Sequence, residues 1–189
     1  MTYKIAVIGT VGLPAQYGGW ETLTEQLVRN LPGDCELTVY CSAPHYPERP
    51  QFFERARLVY LNLKANGVQS IPYDVLSMLH AYRKHDLMLI LGVSGCIALP
   101  FMRLLTRKPF VVDIDGYEWK RAKWSNFARW FLKLSEAVAV RFAHAVITDN
   151  KVLQEYVTAE YNKPSELIAY GGVQARAGGA TEQAPQAYP

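Results

Sequence analysis

Asp113-Ile114-Asp115 sets two carboxylates two residues apart at the end of an apolar run, so on an extended strand both point to the same side. A pair placed in this way can share a divalent cation between phosphates. Asp115, next to the turn glycine Gly116, also suits a base or a ligand for an acceptor hydroxyl. Asp113 equally suits a hydrogen bond to a neighbouring backbone or basic group. The chain then continues Glu118-Trp119-Lys120-Arg121-Ala122-Lys123-Trp124, in which Lys120, Arg121 and Lys123 precede a helical segment and read as anion-binding groups. Between Tyr117 and Ala143 there are six Lys/Arg against two Glu. One reading of this stretch is an interfacial element, with tryptophan at headgroup depth and cations on anionic lipid. The other is an amphipathic helix whose stripe of Phe127, Trp130, Phe131, Leu134, Val138 and Phe142 faces a sheet, and the helical spacing favours it.

A second group of candidates lies near the start of the chain. Behind the apolar run Ile5-Ala6-Val7-Ile8 comes a long loop carrying Gly9, Gly12, Gly18 and Gly19, and then a helix start at Trp20-Glu21. Glycines let a backbone approach a ligand closely, and the free N–H groups of a helix N-terminus attract phosphate or carboxylate. Gly18 and Gly19 are therefore candidate phosphate contacts. Glu21 is a candidate polar site residue, although an acid in a first helical turn also simply complements the macrodipole; Glu25 is expected to face solvent. The loop is not a dinucleotide fingerprint, because the glycines are spread too far and the strand at 36–40 ends in Cys41-Ser42-Ala43-Pro44, with no acid to hold a ribose. It is not a P-loop either. Ser94 between Gly92 and Gly95 lacks the frame of a nucleophile elbow.

These groups need a scaffold, and the hydrophobic pattern supplies one. Apolar runs at 4–8, 36–40, 57–61, 87–91, 110–114, 145–148 and 167–169 alternate with helical segments at 21–31, 73–84, 96–105, 126–143 and 152–161. That alternation predicts an α/β fold, a doubly wound, mostly parallel sheet of about seven strands. Near-continuous apolar strands imply that helices cover both faces. Ligands in such folds bind at the carboxyl ends of the strands, near a switch in strand order. The loops at 9–20, 92–95 and 115–118 are then where chemistry belongs.

At 189 residues and 50% hydrophobic content the chain is long enough for one substantial core. A formal charge of +3, without an aromatic-basic recognition motif, gives no case for nucleic acid. Cys35, Cys41 and Cys96 contain no C-x-x-C and read as buried small hydrophobes in a reducing compartment. The four histidines show no metal-ligand spacing. The longest uncharged stretch, 87–102, falls short of the ~20 residues of a membrane span, so a cytoplasmic chain is expected, with peripheral contact at the inner face of the membrane left open. Residues 174–189, rich in Gly, Pro and small polar types, are expected to form a flexible tail.

The run from Ile8 to Thr22, together with that from Asp113 to Trp124, resembles the N-terminal domain of bacterial rhamnosyltransferase-type enzymes among the GT-B glycosyltransferases of family 4. The likeness covers about residues 3–173, within one Rossmann-like domain taken as 1–173, and Tyr170-Gly171-Gly172-Val173 resembles the segment that hands over to a second domain. The resemblance implies metal-independent, retaining transfer of a sugar from a nucleotide-diphosphate donor to a glycan or lipid-linked acceptor, with no other cofactor. It implies that Gly18 and Gly19 approach the donor phosphates and that Asp115 stands at the catalytic centre. Lys120 and Arg121 then lie toward the acceptor, with Glu21, Glu118 and Lys123 in support. Such enzymes take most donor contacts, including an E-x7-E pair, from a C-terminal domain, and no two glutamates here stand eight apart. The expectation is an acceptor half that lacks this donor-binding domain and does not turn over by itself. The rival reading is a non-catalytic module that works with a separate donor-binding chain.

Overall fold

The computed structural model describes residues 2–114, 116–122 and 124–169. Two of the candidate site residues, Asp115 and Lys123, lie outside the described residues, as do the proposed handover at 170–173 and the tail at 174–189. Strands β1 (Tyr3–Ile8), β2 (Cys35–Ser42), β3 (Phe52–Phe53), β4 (Ala56–Leu61), β5 (Leu87–Leu91), β6 (Phe110–Ile114), β7 (Ala145–Thr148) and β8 (Glu166–Leu167) form one sheet in the order β3-β4-β2-β1-β5-β6-β7-β8. Every pairing is parallel except that of β3 with β4. The fold is therefore the α/β class that the apolar runs predict. The eighth strand is β3, whose two residues are too short to show a period-2 pattern.

Helices α1 (Gly19–Asn30), α2 (Ser70–Ala81), α3 (Leu99–Leu105), α4 (Asn126–Phe142) and α5 (Lys151–Tyr161) connect the strands. Their ends follow local chemistry. The Ser125 hydroxyl accepts from Ala128 N at 3.3 Å to start α4, and the Asn150 side chain accepts from Leu153 N at 2.9 Å to start α5. Helix α2 begins three residues earlier than the apolar pattern suggests, because Pro72 falls within the first turn, where a missing N–H removes no helical bond.

Two apolar cores flank the sheet. On one face Met78, Leu99, Met102, Leu132, Ala139, Val140 and Val157 of α2, α3, α4 and α5 pack on Met88, Ile90, Val112, Ile114 and Val146. On the other, Val28 of α1 packs with Val7, Leu37, Val39, Leu58 and Leu91. Both faces of the central strands are thus buried, which explains why β1 and β5 read as continuous apolar runs.

Two expectations need correction. The stripe of α4 that faces the sheet is centred on Leu132, Ser135, Glu136, Ala139 and Val140; of the expected stripe Phe131, Val138 and Phe142 pack against its flanks, whereas Phe127, Trp130 and Leu134 are exposed. The large residues thus place the stripe partly off the buried face, because side-chain size alone does not mark the core. Of the cysteines, Cys41 and Cys96 are buried but Cys35 is half-buried at the start of β2.

Candidate functional site

The chain leaves β1 and moves to β2 on one side, and later returns to place β5 on the other side of β1, so the strand order switches between β1 and β5. The carboxyl ends of these two strands separate there, and the loops behind them must diverge. Gly9 makes this possible. It has φ +98°, and a Cβ at this position would stand 2.1 Å from Leu91 O, so the first loop runs directly against the backbone of β5. Gly12, with φ +136°, would place a Cβ 2.7 Å from the Tyr46 ring and 2.8 Å from Cys41 Sγ.

Hydrogen bonds then fix the first half of the loop. Glu21 reaches back from the first turn of α1, and its Oε1 accepts from Thr10 Oγ1 at 2.7 Å and from Val11 N at 2.6 Å. The carbonyl of Thr10 accepts from the Tyr73 hydroxyl at 3.0 Å, that of Val11 from Ser42 N at 2.8 Å, and that of Pro14 from the Tyr46 hydroxyl at 2.9 Å. Ala15 N donates to Glu25 Oε1 at 2.7 Å. Glu25 is therefore not the solvent-facing residue that its helical position suggests; it also pairs with Arg29 at 3.3 Å. Periodicity places a residue around a helix but says nothing of a loop folded over that helix.

Beyond the braced segment the loop opens onto a cleft of about 310 Å³ at the switch point. Its lining brings together Gly18, Gly19, Glu21, Glu118 and Arg121 of the sequence candidates. Helix α1 starts at this wall with Gly18 before it, and no side chain caps it. Gly18 has φ −164°, an extended geometry that any residue adopts, and a Cβ at Gly19 would meet nothing within 4 Å. The space beside Gly19 is therefore empty of protein, that beside Gly18 holds only Glu21 Oε2 at 3.4 Å from such a Cβ, and a helix N-terminus adjoins both.

The segment after β6 supplies another wall, lined by Gly116, Glu118, Arg121 and Trp124. Arg121 Nε pairs with Glu118 Oε2 at 2.8 Å, and Trp124 Nε1 donates to Glu118 Oε1 at 3.1 Å. Lys120 is not part of the cleft lining; its ammonium stands 3.9 Å from the centre of the Tyr117 ring, a cation–π contact. Lys133 of α4 anchors this wall from behind, its ammonium 4.9 Å from the Trp119 ring and 4.8 Å from that of Tyr156. Asp113 is buried on β6, and its carbonyl accepts from Gly92 N at 2.9 Å, which ties the loop after β5 to β6.

Sequence reasoning missed the floor of the cleft. Ala65, Asn66 and Gly67, with Ser70 and Asp74 of α2, also line it. Asp74 is 3% exposed; its Oδ2 accepts from Gly95 N at 3.1 Å, and its Oδ1 has no partner among the described residues. Burial pushes its carboxyl up to about 8, so at neutral pH it holds its proton and can donate. A signal was present. Residues 70, 73, 74, 77, 78 and 81 form the buried stripe of α2, and an acid on such a stripe marks either a buried hydrogen bond or a site.

A parallel sheet with a cleft at its switch point, entered by a glycine-bearing loop and the N-terminus of the next helix, is the arrangement in which open α/β folds bind their ligands. The fold is similar to that of a sucrose-phosphate synthase from Thermosynechococcus elongatus, with a TM-score of 0.66 at 14% identity over 88% of this chain and 47% of that one. It is also similar to a UGT transferase from Siraitia grosvenorii in complex with UDP, with a TM-score of 0.51 at 12% identity over 92% of this chain and 51% of that one. The architecture is thus the Rossmann-like, mostly parallel α/β fold that these two proteins share, and the chain spans about half the length of each of them. It belongs to the DUF1972 family, described as a domain of unknown function, whose profile matches residues 2–173. No curated protein matches it in sequence.

Proposed function

We propose that the chain is the acceptor-side domain of a retaining glycosyltransferase, a rhamnosyltransferase of family 4, that moves a sugar from a nucleotide-diphosphate donor to a glycan or lipid-linked acceptor. The observation that carries the reading is the uncapped start of α1 beside Gly18 and the open space at Gly19. Backbone N–H groups at such a terminus suit a diphosphate, and the absence of a side chain lets the phosphate come close. In this reading Asp115 stands at the reacting centre, Glu118 and Arg121 form the acceptor wall, Lys120 supports it from outside the cleft lining, and Lys123 lends further support. Asp74 holds a sugar hydroxyl through its protonated carboxyl from the floor. No metal takes part.

We further propose that these 189 residues do not turn over by themselves, and that the groups which hold the nucleotide come from a second domain or a separate chain. The half-length match to the two solved structures favours this over a self-contained enzyme. The test is calorimetric titration of the chain with nucleoside diphosphates and their sugars, repeated for Gly19→Val, together with a transfer assay. The expected result is weak diphosphate binding that Gly19→Val abolishes, with no transfer. Binding that is untouched by Gly19→Val would remove the phosphate role, and transfer by the purified chain would remove the proposed dependence on a second domain.

A further inference from the structure

Helices α3 and α4 lie against each other on one face of the sheet and share a core, so their outward sides form one surface. That surface is apolar in an unusual way. Phe127 and Trp130 are 74% and 60% exposed, and Leu134, one turn further along α4, is exposed as well. The Phe127 and Trp130 rings stand 5.9 Å apart and pack on each other rather than on the protein core. From α3, Phe101, Leu104 and Leu105 add a second exposed stripe, with Leu104 at 84%. Scattered single hydrophobes on a surface need no explanation, but two adjoining stripes of large ones do.

The charge that the two helices themselves expose has one sign, and the carboxylate of Glu160 on α5 is taken up by Lys133 at 2.9 Å. Helix α3 contains no carboxylate, and the one carboxylate of α4, Glu136, is fully buried beneath it. Arg103 on α3, Arg107 just beyond it and Arg141 at the end of α4 are exposed. None of the three has an ion pair among the described residues. Large apolar side chains with an exposed tryptophan, flanked by arginines that lack counter-charges, match the two layers of an anionic bilayer surface. The acyl boundary takes the rings, and the headgroups supply the missing anions.

We propose that the outer surface of α3 and α4 is a membrane-docking face for anionic lipid. The first turns of α4 pack against residues 118–120, beside the Glu118–Arg121 wall of the cleft, so docking brings the mouth of the cleft to the lipid surface. An acceptor with a lipid anchor then reaches the cleft without leaving the bilayer. The lipid-linked choice of acceptor rests on the glycosyltransferase reading of the cleft; the docking itself does not.

The experiment is flotation of the full chain with vesicles of phosphatidylcholine, with and without phosphatidylglycerol. The wild-type chain should float with the anionic vesicles, less so as salt rises, and not with the neutral ones. The double variant F127S/W130S should bind about ten-fold more weakly or not at all, and R103E/R107E should lose the preference for anionic lipid. F52S, at the far edge of the sheet, should bind as wild type does, and circular dichroism should show all variants folded. The proposal is overturned if the wild type does not float, if F127S/W130S floats equally well, or if F52S weakens binding as much. It is also overturned if the double variant instead abolishes a concentration-dependent dimer, which would assign the face to a second copy. Failure of nucleotide binding in the separate titration would leave the vesicle result unaffected.

Discussion

The two halves of the loop after β1 carry the same residue type for opposite reasons. At Gly9 and Gly12 the chain itself excludes a side chain, through positive φ and contacts under 3 Å with Leu91, Tyr46 and Cys41. At Gly19 no neighbour does so, and Gly18 would meet only Glu21 Oε2, at 3.4 Å. The first half is also braced at Thr10, Val11, Pro14 and Ala15, whereas the second begins a helix with no cap. A glycine demanded by packing reports on the fold. A glycine with open space beside it leaves room for a molecule outside the chain.

The sharpest way to break this contrast is to put a methyl group in the braced half. Gly9→Ala forces a Cβ onto the Leu91 carbonyl, and neither backbone can yield without parting β1 from β5. A loss of about 3–5 kcal/mol in urea unfolding is expected, or no folded protein at all. A loss below about 1 kcal/mol would show that the strands have slack there and that the contrast between the two halves is false.

Next in size is the brace. Glu21→Ala removes the acceptor shared by Thr10 and Val11 and leaves a buried N–H without a partner, for a cost of about 2–3 kcal/mol. Glu21→Gln keeps an acceptor oxygen and should recover part of this. If the two variants were equally unstable, the carboxylate charge rather than the hydrogen bonds would be holding the loop.

An effect smaller per pH unit than the loss of the brace, and read as a slope against pH, tests the floor of the cleft. The Asp74 carboxyl ionises near 3.8 in an unfolded chain, and burial raises it to about 8 in the folded one. Between those values the folded state keeps a proton that the unfolded state has lost, so this group's contribution to stability falls as pH rises. Asp74→Asn does not titrate. The variant should therefore gain on the wild type by about 1.4 kcal/mol per pH unit through that window. A constant difference from pH 4 to pH 8 would mean that Asp74 is ionised in the fold and cannot donate to a sugar hydroxyl.

All strands but β3, the five helices and the three cleft loops were legible because each is a local pattern of apolar period or turn residue. The floor was not. Asp74 reaches the cleft only because α2 crosses beneath the loop at 92–95, a contact between segments 21 residues apart in the chain. The rotation of α4 was hidden for a related reason. Its small residues, Ser135 and Ala139, face the sheet because α4 packs closely there, with the Ser135 hydroxyl 2.6 Å from the Val93 carbonyl. Phe127 and Trp130, which dominate any hydrophobic count, turn away. Periodicity marks a stripe on the helix but does not tell which stripe meets a neighbour close enough to require small side chains.

The smallest structural effect is the most informative about ligands. Gly19→Ala places its methyl in empty space, at the first position of a helix where alanine is the better helix former. Unfolding should change by no more than about 0.5–1 kcal/mol, in the stabilising direction. The same methyl stands where a diphosphate would approach the start of α1, so affinity for nucleoside diphosphates should fall while the fold gains. Stability and binding then move in opposite directions at Gly19, whereas Gly9→Ala destroys both together. If Gly19→Ala left binding unchanged, the room beside it would be ordinary solvent, and the phosphate would have to be sought along the Glu118–Arg121 wall instead.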